Sequence, residues 1–168
     1  MDFKLHLPLV EFYITNVCNL TCRGCNRFNN YNFKGHQRWD DVADEIEKWA
    51  SQLELDRIDI IGGEPTLNPD LEKWCANLRR LWPKSKIMIQ TNGTYYKPKY
   101  KTFWKKYRVS FGVALHDPET ADELRNIWQH QGIFDAFVFH QSAVIKQNDY
   151  FVLHQDRKST RLNSSHTD

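Results

Sequence analysis

The regular alternation of short apolar runs with amphipathic segments constrains the fold more than any other feature of this chain. Short apolar runs bounded by turn residues are typical of strands, and apolar residues recurring every three or four positions are typical of helices. Strands joined by helical crossovers run parallel in one sheet. The sequence therefore predicts an α/β fold of about five β/α units, either an open sheet or one curling toward a barrel, with strands at 9–17, 57–63, 86–93, 109–116 and 134–145 and helices at 39–55, 69–83, 98–107 and 118–131.

Two helices carry residues with a definite packing prediction. In the first helix Val42, Ile46, Trp49 and Leu53 recur at intervals of three or four and are predicted to face the core. In the second helix Cys75 is predicted to be buried, because an isolated intracellular cysteine usually behaves as a small apolar residue.

Charge and length limit the classes of partner. The 168 residues suit one domain, and 23 basic against 21 acidic residues give a net charge of +2, which carries no strong signal for nucleic acid or a membrane surface. The exception is the basic run 97–108. It is interpreted as a solvated helix face with Phe103, Trp104 and Tyr107 turned inward, and a phosphate-binding face is the alternative.

Neither end of the chain indicates export or a membrane anchor. The first residues are interrupted by charges, unlike a signal peptide, and no run reaches the roughly 18 apolar residues that span a bilayer. A cytoplasmic protein is expected. Residues 156–166, DRKSTRLNSSH, resemble the translation of a sequencing adapter, so residues 1–155 are expected to be a C-terminally truncated core and 156–168 a non-native, disordered tail. An ordinary disordered C-terminus is the alternative.

Polar and reactive residues follow four of the predicted strands. Three cysteines follow the first strand, the stretch GGEP (62–65) the second and TNG (91–93) the third, while His116 ends the fourth. Ligands of parallel α/β folds bind at the carboxyl ends of the strands. All four features are therefore expected on one rim of the sheet.

The cysteines at 18, 22 and 25 indicate a metal centre. In a reducing compartment such a cluster is more often a ligand set than a disulfide. Three thiolates suit a [4Fe–4S] cluster with one open iron, whereas His36 as a fourth ligand would complete a zinc site. Both alternatives stay open on this motif alone.

The other rim motifs are weak signals individually. Gly62 and Gly63 let the backbone approach a ligand, and Glu64 is either an acceptor for a cationic group or a carboxylate at a helix start. Asn92 and Gly93 are also ordinary turn residues.

In combination, CNLTCRGC, GGEP and QTNG resemble the radical S-adenosylmethionine (radical SAM) superfamily over residues 9–145. The resemblance implies a partial (β/α)6-type parallel barrel. It also implies that Cys18, Cys22 and Cys25 ligate a [4Fe–4S] cluster whose open iron is chelated by the amino and carboxylate groups of S-adenosylmethionine. Gly62, Gly63 and Glu64 would receive that amino group, and Asn92 and Thr91 would lie near the ribose or carboxylate.

The same resemblance implies the reaction. One electron, from a donor such as flavodoxin or ferredoxin, passes through the cluster and cleaves S-adenosylmethionine to methionine and a 5′-deoxyadenosyl radical, which abstracts hydrogen from the substrate. The cofactors carry this chemistry, and the protein orients them and excludes water and oxygen.

Two positions depart from the family pattern. Gly24 stands where an aromatic residue usually precedes the third cysteine, and its backbone is expected to face the adenine. Ala114 stands where relatives often have serine, so Ser110 or His116, on the same face of the strand, is the candidate for the missing polar contact.

The substrate is not readable from the motifs. A peptide or protein is predicted slightly ahead of a small molecule, with a 7-deazaguanine-forming enzyme of tRNA modification or a glycyl-radical activase as alternatives within the superfamily. The alternative from another class is a zinc-stabilised binding module. No catalytic residue is assigned.

Overall fold

The computed structural model describes residues 4–22, 25, 27–29, 34–115, 120–131 and 134–139. Strands and helices alternate along this part of the chain, with 3-10 turns at Trp39–Asp41 and Pro65–Leu67. The elements are β1 (Leu5–Tyr13), α1 (Ala43–Gln52), β2 (Leu53–Ile61), α2 (Leu71–Leu81), β3 (Lys86–Thr91), α3 (Lys99–Tyr107), β4 (Val109–Leu115), α4 (Ala121–Gln131) and β5 (Phe134–Phe139).

The five strands form one parallel sheet in the order β1-β2-β3-β4-β5. Each strand lies beside the next strand of the sequence, so the order never reverses as it does in a doubly wound sheet. Consecutive winding of this kind is the arrangement of a β/α barrel. The predicted α/β fold, a partial parallel barrel, is confirmed.

The side of the sheet that faces the helices is apolar and contains the core. The strand register aligns Ile60, Ile89 and Phe111 across three neighbouring strands, and all three are fully buried. All four helices add residues to the same continuous cluster. Their fully or nearly fully buried contributions are Ile46, Ala50, Leu71, Trp74, Cys75, Leu78, Tyr100, Phe103, Ala121 and Trp128.

The first helix is shorter than predicted, and its buried face is different. The predicted helix 39–55 divides into a 3-10 turn, α1 and the beginning of β2, because Leu53 to Leu55 pair with Leu5 to Leu7 of β1. Trp49 is 42% exposed, with its indole N–H donating to the Glu45 carboxylate, and Ala50 faces the core instead. Trp49 therefore lies at the edge of the buried face of α1 rather than within it, with its ring 6.4 Å from that of the core residue Phe12.

Several other predictions are confirmed. Cys75 is fully buried in α2, and in α3 Phe103 is buried while Tyr107 is half-buried. The side chain of Trp104, the residues of the predicted fifth strand after Phe139 and the whole segment 156–168 lie outside the described residues. Each helix in the described ranges is too short or too polar to cross a bilayer.

Candidate functional site

The rim is built where β1 and β2 continue their pairing beyond the ends of the strands. The N–H of Ile14 donates to the carbonyl of Ile61 (2.9 Å), that of Gly63 to Thr15 (2.7 Å) and that of Glu64 to Val17 (2.8 Å). Backbone pairing therefore continues to the residue before Cys18. The cysteine loop starts from a fixed position rather than from a free strand end.

The two glycines of GGEP make this close pairing possible. A Cβ on Gly62 would lie 2.6 Å from the carbonyl oxygen of Thr15, and one on Gly63 would overlap the carbonyl of Val17. The neighbouring atoms are backbone atoms, which cannot move aside cheaply. The structure shows that the glycines admit the neighbouring backbone, and their predicted approach to a ligand stays a prediction.

Glu64 holds the ends of β2 and β3 together. Its carboxylate is fully buried and accepts four hydrogen bonds, from the N–H (3.1 Å) and hydroxyl (2.6 Å) of Thr66, the hydroxyl of Thr91 (2.7 Å) and the N–H of Asn92 (2.8 Å). Burial raises the pKa of Glu64, and these hydrogen bonds oppose the rise. The side chain thus fixes the TNG turn against the GGEP turn.

Asn92 connects that turn to the cysteine loop. Its side-chain oxygen accepts hydrogen bonds from the N–H (3.0 Å) and hydroxyl (2.6 Å) of Thr94, which orients the amide nitrogen in the opposite direction. That nitrogen lies 3.0 Å from Oδ1 of Asn19 and 3.9 Å from Sγ of Cys18. The amide nitrogen of Asn19 in turn donates to the hydroxyl of Thr94 at 2.7 Å.

The opposite side of the same turn is anchored by α4. Gly93 has φ +76°, in the left-handed region that favours glycine, and its carbonyl accepts a hydrogen bond from the indole N–H of Trp128 at 2.9 Å. Trp128 is fully buried. The TNG turn is therefore anchored to the core through Trp128 and to the cysteine loop through the polar side chain of Asn92.

Three half-buried thiols lie on the loop that follows β1. Cys18, Cys22 and Cys25 form no disulfide, and burial raises the pKa of Cys18. The pKa of Cys22 is raised to about 11, by burial first and then by the charges of Cys18 and Cys25. Burial therefore disfavours the thiolate forms of Cys18 and Cys22 unless a cation is present.

This thiol set fits a thiolate-bound iron–sulfur cluster. A bound metal centre removes the protons of its thiol ligands and offsets the repulsion between the thiolates. As they stand, no three His, Cys, Asp or Glu side chains of the described residues are close enough together to hold a metal ion. That result concerns a single metal ion, whereas each cysteine ligand of a [4Fe–4S] cluster binds a different iron.

Asn29 and His36 brace the segments that enclose the loop. The amide nitrogen of Asn29 donates to the carbonyl of Asn16 at 2.6 Å, and its oxygen lies 3.8 Å from Sγ of Cys25. His36 lies 2.8 Å from the hydroxyl of Thr15 through Nδ1 and forms a β-bridge with that residue. His36 is thus bonded to Thr15, on the segment that leads into the cysteine loop.

Three of the predicted contact residues lie elsewhere or outside the described part. Ser110 is the second residue of β4, about 13 Å along the strand from Ala114. Its hydroxyl is buried and bonds the carbonyl of Ile87 at 3.4 Å. Gly24 and His116 lie outside the described residues.

Below the rim, the inner side of the sheet carries a polar network that the sequence analysis did not identify. Asp59, 3% exposed, receives two hydrogen bonds from Arg57 (2.6 and 2.8 Å) and one from the amide of Gln90 (2.9 Å). Gly112 leaves room for the Gln90 amide, since a Cβ there would overlap it. The inner side is thus polar where the helix-facing side is apolar.

Comparison with known proteins agrees with the arrangement of this rim. The family model described as the Radical SAM superfamily matches residues 12–137, well over half of the chain. GTP 3′,8-cyclase of Aquifex aeolicus (strain VF5) is 28% identical over 130 residues, covering 73% of this chain and 41% of that protein. GTP 3′,8-cyclase of Stenotrophomonas maltophilia (strain R551-3) is 30% identical over 131 residues, covering 76% and 39%. The chain thus spans about two fifths of the length of these curated relatives.

Solved structures share the fold. BtrN in complex with AdoMet and 2-DOIA superposes with a TM-score of 0.63 at 18% identity, over 85% of this chain and 60% of that one. His6-tagged anSMEcpe with bound AdoMet superposes with a TM-score of 0.62 at 16% identity, over 95% and 49%. At these identities the likeness concerns the fold alone.

The family match and the arrangement of the rim lead to one assignment. Three cysteines follow β1, a Gly-Gly-Glu turn follows β2, and the partial barrel brings both to one edge. The match covers the cysteine loop, the Gly-Gly-Glu turn and most of the sheet. The chain belongs to the radical SAM superfamily and is an enzyme of that family, whose cofactors are a [4Fe–4S] cluster and S-adenosylmethionine.

Proposed function

We propose that Cys18, Cys22 and Cys25 hold the [4Fe–4S] cluster and that the chain binds S-adenosylmethionine beside it. The observation that carries the proposal is the link from the Glu64 carboxylate through Asn92 to Asn19 and Cys18, which ties three rim segments into one rigid edge. Such an edge keeps its shape as ligands bind and leave.

Each rim residue has a distinct proposed role. Gly62, Gly63 and Glu64 present their backbone groups to the amino group of S-adenosylmethionine, and the Glu64 side chain positions Thr91 and Asn92. Asn92 and Thr91 are proposed to contact the ribose or carboxylate of S-adenosylmethionine. Gly24 and His116 stay predictions, and the hydroxyl of Ser110 is too far down β4 to join them.

When bound, the cluster and S-adenosylmethionine supply one-electron cleavage of the sulfonium and removal of a hydrogen atom from the substrate. The residues of the chain hold the two cofactors together at the rim. The apolar core beneath the rim, sealed by Trp128 under Gly93, keeps water away from the lower side of the site.

We propose a purine nucleotide as the first substrate to test. The curated relatives that match this chain are named GTP 3′,8-cyclase, and the inner side of the sheet carries the polar residues Asp59, Arg57 and Gln90, which suit a polar ligand. A peptide substrate, favoured slightly by the sequence analysis, stays a prediction.

The cofactor proposal is tested by reconstituting the chain anaerobically with iron and sulfide and recording electron paramagnetic resonance spectra after reduction. A reduced [4Fe–4S] signal that changes on adding S-adenosylmethionine is expected. Cys18→Ala, Cys22→Ala and Cys25→Ala should each abolish the signal, whereas the matched control Cys75→Ala, in the core, should retain it. A signal that survives one of the three substitutions would contradict the ligand assignment.

The substrate proposal is tested with deuterated GTP. Hydrogen abstraction from the nucleotide transfers deuterium to 5′-deoxyadenosine, which mass spectrometry detects. Deuterium transfer from GTP supports the nucleotide. Formation of 5′-deoxyadenosine without deuterium, with or without GTP, would leave the radical chemistry intact and reject GTP as the substrate.

A further inference from the structure

Three side chains at the rim form a closed ring of hydrogen bonds, which we call the polar ring and which consists of Asn19, Asn92 and Thr94. The amide nitrogen of Asn19 donates to the hydroxyl of Thr94 (2.7 Å), and that hydroxyl donates to the amide oxygen of Asn92 (2.6 Å). The amide nitrogen of Asn92 donates to the amide oxygen of Asn19 (3.0 Å) and closes the ring. The ring therefore holds the residue after Cys18 against the turn that follows β3.

The polar ring fixes which end of the Asn92 amide faces the cysteine loop. A backbone N–H can only donate, and the N–H of Thr94 lies 3.0 Å from the amide oxygen of Asn92. The amide nitrogen of Asn92 therefore points the other way, where it lies 3.9 Å from Sγ of Cys18. An amide nitrogen carries two N–H groups, so one of them bonds Asn19 while the other is directed at the sulfur.

The sulfur of Cys18 has a second N–H donor in its own loop. The backbone N–H of Leu20 lies 3.4 Å from the same Sγ atom. A protonated thiol is a weak acceptor, whereas hydrogen bonds to an ionised acceptor are roughly twice as strong as those between neutral groups. The two N–H groups therefore contribute most when Cys18 is a thiolate, which is the form that binds a metal.

The surroundings of Cys25 have the opposite polarity. The amide oxygen of Asn29 lies 3.8 Å from Sγ of Cys25, while its amide nitrogen donates to the carbonyl of Asn16 at 2.6 Å. Asn29 and Asn92 thus lie at nearly equal distances from a cysteine sulfur but present opposite ends of the same amide group. A thiolate is stabilised by the nitrogen end and destabilised by the oxygen end.

We propose that Asn92 is a positioning residue that acts through Cys18 and raises the reduction potential of the cluster. This inference rests on the proposed cofactor site. On reduction the reductant loses one electron and the oxidised [4Fe–4S] cluster gains it, so negative charge on the cluster and its thiolate ligands increases. An N–H group directed at a ligand sulfur stabilises the reduced form more than the oxidised form, and hydrogen bonds to the sulfurs are among the features that set such potentials.

The test is a redox titration of the anaerobically reconstituted full chain with dithionite, followed by electron paramagnetic resonance. It is done without S-adenosylmethionine, so a contact of Asn92 with that cofactor cannot affect the result. Asn92→Ala should lower the ratio of reduced to oxidised cluster at a fixed potential by about threefold to tenfold, where tenfold is about 59 mV for one electron. Asn92→Asp should lower the ratio further, because it replaces the N–H donor with a negative oxygen close to the sulfur.

Two matched variants separate this effect from loss of the polar ring. Asn29→Ala is the same truncation beside Cys25, but it removes an oxygen that faces the sulfur, so the ratio should stay unchanged or increase. Thr94→Val opens the polar ring and leaves the N–H groups of Asn92 in place, so its effect on the ratio should be smaller than that of Asn92→Ala. The thermal midpoint of each variant measures any loss of stability separately from the potential.

The remaining outcomes overturn the inference in distinguishable ways. A purely structural role for Asn92 predicts that Asn92→Asp is milder than Asn92→Ala, because the aspartate keeps an oxygen for Thr94. Equal decreases in Asn92→Ala and Asn29→Ala would also reject the inference while leaving the cluster site intact. If Asn92→Ala assembles no cluster, Asn92→Asp carries the test, and an unchanged ratio there overturns the inference. If the unaltered chain assembles no cluster, the proposed cofactor site itself fails.

Discussion

The helix-facing side of the sheet and the rim are stabilised by different forces, although they are parts of the same strands. On the helix-facing side, Ile60, Ile89 and Phe111 are buried among apolar residues and form no specific polar bonds. At the rim, Glu64 and Asn92 are equally inaccessible but each is held by several directional hydrogen bonds. A buried side chain in the core has to fill the available volume, whereas a buried side chain at the rim also has to supply particular hydrogen-bonding atoms.

The largest effect is expected from shortening a core side chain. Ile60→Ala should lower the free energy of unfolding by about 4 kcal/mol, because it removes buried methyl groups and leaves a cavity. Leu9→Ala, on the neighbouring strand but 46% exposed, should cost less than about 1 kcal/mol. Urea denaturation of both variants measures the difference, and equal losses would break the proposed contrast between the two sides of the sheet.

The next effect concerns a polar atom at the rim. Glu64→Gln keeps the volume but replaces an acceptor with an N–H₂ group that faces existing donors. It should lower the free energy of unfolding by about 2–3 kcal/mol, since a buried donor is left unsatisfied. The control Glu11→Gln, on an exposed residue of β1, should have almost no effect in the same urea titration. A neutral Glu64→Gln would show that volume alone matters at the rim too.

A smaller loss of stability is expected from adding a side chain at Gly63, where the rim has no room for a Cβ. Gly63→Ala places a Cβ against the carbonyl of Val17 and should cost about 1–3 kcal/mol in the free energy of unfolding. It should also weaken binding of S-adenosylmethionine, since the GGEP turn has to shift away from β1. Calorimetry of unfolding and of binding measures both, and an unaltered affinity would place the ligand away from this turn.

The smallest effect is a pH dependence. Because burial raises the pKa of Glu64 in the folded chain, protonation of this carboxyl favours folding, and that contribution is present below its ordinary pKa near 4.5 and is lost as the pH rises through the raised folded value. The stability advantage of the unaltered chain over Glu64→Gln should therefore shrink as the pH increases from about 4.5. Denaturation of both proteins across this range checks the sign, and an advantage that grows with pH would contradict it.

The predicted fold agrees with the structure where the pattern was long and periodic. The five parallel strands overlap the predicted apolar runs, although β1 and β2 each begin four residues earlier than predicted, and Cys75 and Phe103 are buried as predicted. The pattern failed at the junction of α1 and β2. There Leu53 to Leu55 continue the helical spacing but pair with β1, because a strand register satisfies many backbone groups at once and overrides local preference.

The candidate site was predictable in part for a similar reason. Cysteine spacing and the Gly-Gly-Glu stretch are local motifs, so they were visible in the sequence. Asn19 and Asn29 were missed because each bonds a residue elsewhere in the chain, and Thr94 was missed because it bonds Asn92 in the turn after β3. The polar network around Asp59 was missed likewise. Gln90 and Asp59 are 31 positions apart, and only the register of β2 with β3 brings them together.

Local chemistry in the sequence alone was enough to indicate a β/α fold, a thiol-rich metal loop and the family to which the chain belongs. The tertiary structure decided three further points: the consecutive strand order, the need for Gly62 and Gly63 against the backbone of β1, and the link from Glu64 through Asn92 to the cysteine loop. The physical reason is the separation along the chain of the residues that make each kind of contact. Periodicity and spacing record contacts within a few residues, whereas close backbone approach and charge proximity depend on how separate strands are aligned.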